Sequence, residues 1–200
     1  MNLLNQITVG RLFLAVVFCV LLAQYSAQAP AARAWMIGAC FWIFIVAALS
    51  DILDGYLARR QNQVTSFGRV LDPFVDKVLV GGAFILLSGP NFTDAAGVHT
   101  SGVEPWMVVI IIGRELLVTS LRGVSESQGR QYAATLHGKI KMLVQCIAVP
   151  WILMSLTRPP DSVWHSGAKP LIWTTVVVTT LSMFSYLAQA RHILADRARA

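Results

Sequence analysis

Asp51, Asp54, Asp72 and Asp76 place four of the chain's 10 acidic residues in one short stretch. The first pair is spaced i, i+3 and the second i, i+4, so each pair shares one face of a helix. Four carboxylates set among apolar segments cannot all stay ionised without compensation. Each would otherwise take up a proton or destabilise the fold. Divalent cations supply that compensation: hard oxygen ligands suit Mg2+ or Mn2+, and two such ions can clamp a phosphoryl group undergoing displacement. Two other readings use the same acids. One is helix capping with ion pairs to Arg59, Arg60, Arg69 or Lys77, although caps do not need four acids. The other is a proton or cation pathway through a bilayer. Asp72 and Pro73 stand either at the N-cap and first position of a helix or inside a helix that begins earlier. Both placements let two helix ends aim two carboxylates each at a common centre.

The residues between the acids narrow the chemistry. Gly55 costs about 1 kcal/mol in a helix interior relative to Ala, and close approach of a ligand to the backbone would justify it. Ala58 lies one turn on and keeps that face shallow. Arg59 follows and can bind phosphate with two prongs. Gly68 precedes Asp72 by one turn. Taken singly, a small residue in an apolar helix is ordinary packing.

A second, basic set lies further along. Arg114-Glu115 interrupts an apolar stretch, Arg122 follows eight residues after Arg114, and Lys139 and Lys141 come just after His137-Gly138. The spacing keeps Arg114, Val118 and Arg122 roughly on one face. An arginine at membrane depth should face a cavity or a partner, and Glu115 can pair with a neighbouring base. Such a pocket beside the acids suits a water-soluble substrate bearing a phosphate. Snorkelling and topogenic charge are the alternative reading. His137 reads as a cap or interface residue rather than a base or metal ligand.

The elements that must hold these residues follow from composition. Of 200 residues, 56% are apolar and 13% charged, with mean hydropathy +0.61. Soluble domains carry about 25% charged residues, so a water-facing surface of the usual kind is excluded, as is disorder. Six stretches approach the roughly 20 apolar residues a membrane span needs: 12–29, 34–58, 70–88, 105–121, 142–157 and 170–190. Gly89-Pro90-Asn91 and Arg158-Pro159-Pro160-Asp161 break the pattern. The expected fold is therefore all-α and polytopic: one domain over 1–200, six transmembrane helices and a cytoplasm-facing polar cavity. Only Arg33, Arg158 and Lys169 of the 16 basic residues fall on the side opposite the termini, which puts the termini and both charged sets in the cytoplasm. The net charge of +6 then points to anionic lipid or phosphate, not to nucleic acid. Cys19, Cys40 and Cys146 lie inside apolar runs and read as small apolar residues. Trp35, Trp106, Trp164 and Tyr186 read as interfacial anchors.

Read together, Asp51-x2-Asp54-Gly55-x2-Ala58-Arg59-x8-Gly68-x3-Asp72-x3-Asp76 resembles the signature of the CDP-alcohol phosphatidyltransferases at every fixed position. The resemblance implies that the four aspartates hold two divalent ions, Mg2+ or Mn2+. It implies that Asp51, Gly55, Ala58, Arg59 and Gly68 bind the CDP moiety of a CDP-linked lipid, and that Asp76 is the general base. Asn5 to Arg11, Gly113 to Arg122 and Gly138 to Lys141 are similar to the bacterial phosphatidylglycerophosphate synthases within that family. Those enzymes use CDP-diacylglycerol as donor and sn-glycerol 3-phosphate as acceptor. Arg114, Arg122, Lys139 and Lys141 would then hold the acceptor phosphate. A homodimer in the bacterial inner membrane is implied by the same resemblance. Other acceptors (inositol phosphate, serine, phosphatidylglycerol), a membrane prenyltransferase and a cation transporter stay open as alternatives.

Overall fold

The computed structural model describes residues 3–61, 66–127 and 136–197. Among them, the structure is helical apart from connecting turns and one isolated antiparallel bridge between Thr93 and His99. Six helical rods follow one another: α1 (Leu3–Ala23), α2 (Pro30–Gln61), a composite third rod, α5 (Pro105–Ser127), α6 (Leu136–Ser155) and α7 (Val163–Arg197). The third rod joins α3 (Ser66–Asp76) to α4 (Gly82–Leu87) through a π-helical turn at Lys77–Gly81. Asp76, Gly81 and Gly82 all keep right-handed helical backbone, so the rod is continuous.

The rods begin and end where the chain chemistry directs. Pro30 and Pro105 open α2 and α5, where a missing N–H costs nothing and the fixed φ is already helical. The last turn of α1 tightens as the amides of Gln24 and Tyr25 donate to the carbonyls of Leu21 and Leu22. The Gly89-Pro90-Asn91 breaker ends the third rod and starts a single 3-10 turn. That turn is tied back to α1: the Ala27 amide donates to the Asn91 carbonyl at 2.8 Å, and the Asn91 side chain donates to the Ala23 carbonyl at 2.6 Å. Asp72 is not an N-cap. α3 starts at Ser66 and Pro73 lies inside it.

Four rods are long and apolar enough to cross a membrane, over Gln6–Ala23, Ala32–Ile52, Leu136–Ser155 and Val163–Ala188. The other two fall short for visible reasons. In the third rod the π turn leaves α-helical segments of only 11 and 6 residues, and α5 carries Arg114, Glu115 and Arg122 in its interior. Phe18, Phe44, Phe84 and Phe92 are fully buried, yet Phe13 and Trp42 are 67% and 65% exposed. An exterior this apolar is unsuited to water and matched to lipid.

Candidate active site

The acidic end is built by three rods. Thr8 and Arg11 share the inward face of α1, and Arg11 is only 2% exposed. The Arg11 guanidinium reaches across to both neighbouring rods: Nη1 donates to Oδ1 of Asp51 on α2, and Nη2 donates to Oδ1 of Asp72 on α3 at 2.8 Å. The same Asp72 oxygen accepts from Thr8 Oγ1 at 3.0 Å. Asp51 and Asp72 thus converge on one cationic group from separate helices. Arg59, Arg60 and Arg69, the ion-pair partners of the capping alternative, have side chains outside the described residues, as do Asp54, Gly55 and Ala58. Lys77 donates instead to the Pro73 carbonyl at 3.1 Å. Gly68 lies half-buried in α3. Among the described residues, no three His, Cys, Asp or Glu side chains gather closely enough to hold a metal ion. The donor set itself fits a hard divalent cation: carboxylate oxygens from two helices already share a positive centre.

Arg11 is the residue that spacing alone did not assign. Its local signal is a lone arginine entering an apolar run one turn after Thr8, which fits a topogenic charge as well as the family-like opening.

Asp76 closes α3 one turn beyond Asp72, immediately before the π turn. Pro73 withholds one backbone donor just upstream, and the hydrogen-bond shift that follows rotates the rest of the rod relative to Asp76. A side chain at Gly81 would come within 2.9 Å of Ile112 Cδ1, and one at Gly82 within 2.9 Å of Cys19 Sγ. Two consecutive glycines therefore let the third rod lie close to both α1 and α5.

The basic end lies between α5, α6 and α7, around a cavity of about 740 Å3 whose lining includes five basic side chains and two acidic ones. Arg114 is 4% exposed. Its Nη1 donates to Glu115 Oε1 at 2.9 Å and its Nη2 to Ser182 Oγ at 2.7 Å. Glu115 Oε1 also accepts from Lys141 Nζ at 2.6 Å, and Lys141 is buried. Arg122 Nη2 donates to the Tyr186 hydroxyl at 3.2 Å. The Tyr186 ring faces both guanidiniums, 5.0 Å from Arg114 and 5.9 Å from Arg122. Among the described residues, the buried Nε–H groups of Arg114 and Arg122 donate to nothing. A buried donor left in this state is unfavourable until an anion reaches it.

The expectation for Tyr186 is overturned. It is fully buried between two arginines rather than anchored at an interface, because the phenol offers an apolar face to the cations and a polar tip to one of them. Trp35 and Trp106 are exposed, as interfacial anchors should be. Trp164 packs on Trp151 at 4.6 Å between ring centres. Lys139 is exposed but lines the cavity, and His137 is exposed at the start of α6.

A second cavity of about 260 Å3 opens beside Arg11 and Asp51 and is otherwise walled mainly by apolar side chains such as Phe44, Leu79 and Met142. Asp76 and Lys139 line both cavities. The acidic and basic ends therefore meet at Asp76. An oxygen base there can face one ligand held by the acids and another held by the arginines.

The comparisons with known proteins point the same way. A model of the family described as CDP-alcohol phosphatidyltransferase matches residues 1–182. A Bacillus subtilis protein named CDP-diacylglycerol–glycerol-3-phosphate 3-phosphatidyltransferase is 36% identical over 197 residues, which is 94% of each chain. A Salmonella paratyphi A protein of the same name is 34% identical over 98% of each chain. The Escherichia coli K12 protein of that name is 36% identical over 82% of this chain and 84% of its own.

Proposed function

The chain belongs to the CDP-alcohol phosphatidyltransferase family, and from that premise we propose that it transfers the phosphatidyl group of CDP-diacylglycerol to the sn-1 hydroxyl of sn-glycerol 3-phosphate. The products are phosphatidylglycerol phosphate and CMP. The acceptor is taken from the names of relatives that match nearly the whole chain. One structural observation supports the reading most: Asp76 stands on the wall common to the acidic and the basic cavity.

Asp51, Asp54, Asp72 and Asp76 are the residues that would hold two divalent ions, Mg2+ or Mn2+. When bound, such ions neutralise the donor diphosphate and stabilise charge developing on its oxygens. Arg59, with Gly55, Ala58 and Gly68, would hold the CDP moiety. Arg114, Arg122, Lys139 and Lys141 would hold the acceptor phosphate, and the two idle Nε–H groups would find their acceptor there. Glu115 limits the positive charge of that pocket and ties Lys141 to Arg114. Asp76 takes the proton of the acceptor hydroxyl as its oxygen bonds to the lipid-bearing phosphorus. The bond from that phosphorus to the oxygen of CMP breaks, and CMP leaves with the electron pair. The apolar wall of the smaller cavity would let the acyl chains pass sideways into lipid.

The proposal extends to the setting: one domain over 1–200, six spans, both termini and the site on the cytoplasmic side, and a homodimer in the bacterial inner membrane. Purified protein with CDP-diacylglycerol, Mg2+ or Mn2+ and a panel of alcohols tests the activity. CMP release should depend on glycerol 3-phosphate. Release with inositol phosphate, serine or phosphatidylglycerol alone would reassign the acceptor. Ion flux without CMP would replace the enzyme by a transporter.

A further inference from the structure

The basic pocket has a feature that neither charge nor spacing explains: its two arginines are held by α7, a rod with no charged side chain in that region. Thr175, Thr179, Ser182 and Tyr186 are all buried and follow one another at helical spacings of three or four. They form a polar stripe on the inward face of an otherwise apolar span. The deeper half of the stripe meets α6, where Gln145 Nε2 lies 3.5 Å from Thr179 Oγ1. The half nearest the cavity meets α5, where Ser182 accepts from Arg114 and Tyr186 accepts from Arg122. The Tyr186 ring also offers its face to both guanidiniums. Each arginine is thereby fixed in tilt and in reach, and among the described residues the Nε–H of each has no hydrogen-bond acceptor.

A guanidinium on a flexible stem must be immobilised before it can bind an anion through a chosen edge. We propose that Tyr186, assisted by Ser182, is a positioning residue that sets Arg114 and Arg122 for a phosphomonoester on the acceptor. This inference rests on the acceptor reading given above and deepens it. Tyr186 takes no proton and touches no reacting atom. Its effect is confined to how the acceptor phosphate is held.

The test compares Tyr186→Phe and Tyr186→Leu with the parent protein in detergent or vesicles, with KM and kcat read separately for each substrate. Loss of the hydroxyl in Tyr186→Phe should raise the KM for glycerol 3-phosphate roughly fivefold, as removal of one hydrogen bond to a charged group would. Tyr186→Leu, which also removes the aromatic face, should raise it by more than about tenfold. In both variants kcat and the KM for CDP-diacylglycerol should stay within about twofold, since the acidic cavity beside Arg11 and Asp51 is lined by residues other than Tyr186. Inhibition by inorganic phosphate, competitive with glycerol 3-phosphate, should weaken in parallel. An unchanged KM for glycerol 3-phosphate in Tyr186→Phe overturns the proposal. So does a joint rise in both KM values, which marks general loosening. Should Tyr186→Leu fail to fold, Tyr186→Phe alone decides. If the parent protein releases CMP with another alcohol and not with glycerol 3-phosphate, the acceptor reading fails first, and that outcome is visible before any variant is made.

Discussion

At the residue scale the site is a set of charges arranged so that each has a reason to be there. Asp76 is the group whose removal should be felt most directly in the chemistry. Asp76→Asn should lower kcat for CMP release by about 10²–10⁴, the usual worth of a general base, while protein still binds CDP-diacylglycerol in a metal-dependent way. Activity within a few-fold of the parent would remove Asp76 from that role. Arg11 is a different case, because it holds acids together rather than acting on substrate. Complete loss of one partner from a buried ion pair costs about 3–5 kcal/mol, but Asp51 and Asp72 are 26% and 44% exposed, so solvent screens part of the effect. Arg11→Met should therefore destabilise the protein by roughly 1–3 kcal/mol, read as a lower Tm. Added Mn2+ should narrow the gap by supplying the missing positive charge. The acids and the basic set were legible in the sequence because charge is conspicuous in an apolar chain. The parts played by Arg11 and Tyr186 were not. Arg11 meets Asp51 and Asp72 across separations of 40 and 61 residues, and Tyr186 meets Arg122 across 64. Nothing local in the chain encodes those meetings.

At the element scale the six rods follow from six apolar stretches and the breakers between them, so this layer was readable in outline. The π turn at Lys77–Gly81 was not, because a one-residue shift in backbone bonding leaves no hydropathy signature. Pro73 is the only local hint, and it reads equally as a helix start. The packing of α6 against α7 depends on a similarly quiet residue. A Cβ at Gly167 would lie 2.8–3.0 Å from three atoms of the Trp151 indole. That ring cannot swing aside freely, since its Nε1 donates to the Trp164 carbonyl at 3.0 Å. Gly167→Ala should therefore cost about 1–3 kcal/mol through overpacking and lower Tm, with both KM values little changed because Gly167 lies far along α7 from Ser182 and Tyr186. An unaltered Tm would show that the two rods separate without penalty.

At the scale of the whole molecule, large apolar side chains such as Phe13 and Trp42 face outward while Arg11, Arg114 and Lys141 are buried, the reverse of a water-soluble domain. The proposed six-span topology makes a prediction that needs no substrate. In a background with Cys19, Cys40 and Cys146 replaced by alanine, Gln6→Cys and Ala95→Cys should react with a membrane-impermeant thiol reagent from opposite faces. Gln6 lies near the start of α1, and Ala95 lies in the segment tied to its far end. In intact cells only Ala95→Cys should label, and labelling of Gln6→Cys first would invert the proposed orientation. The ion pairs of Arg11 add a constraint of timing. The ribosome makes Arg11 well before Asp51 and longer still before Asp72, so the nascent first helix meets the bilayer carrying a cation whose partners do not yet exist. Until they are synthesised, its charge must rest among headgroups or in the insertion machinery. Final seating of α1 thus waits for α2 and α3, which makes biogenesis an ordered event with the N-terminal helix the first to enter and among the last to settle.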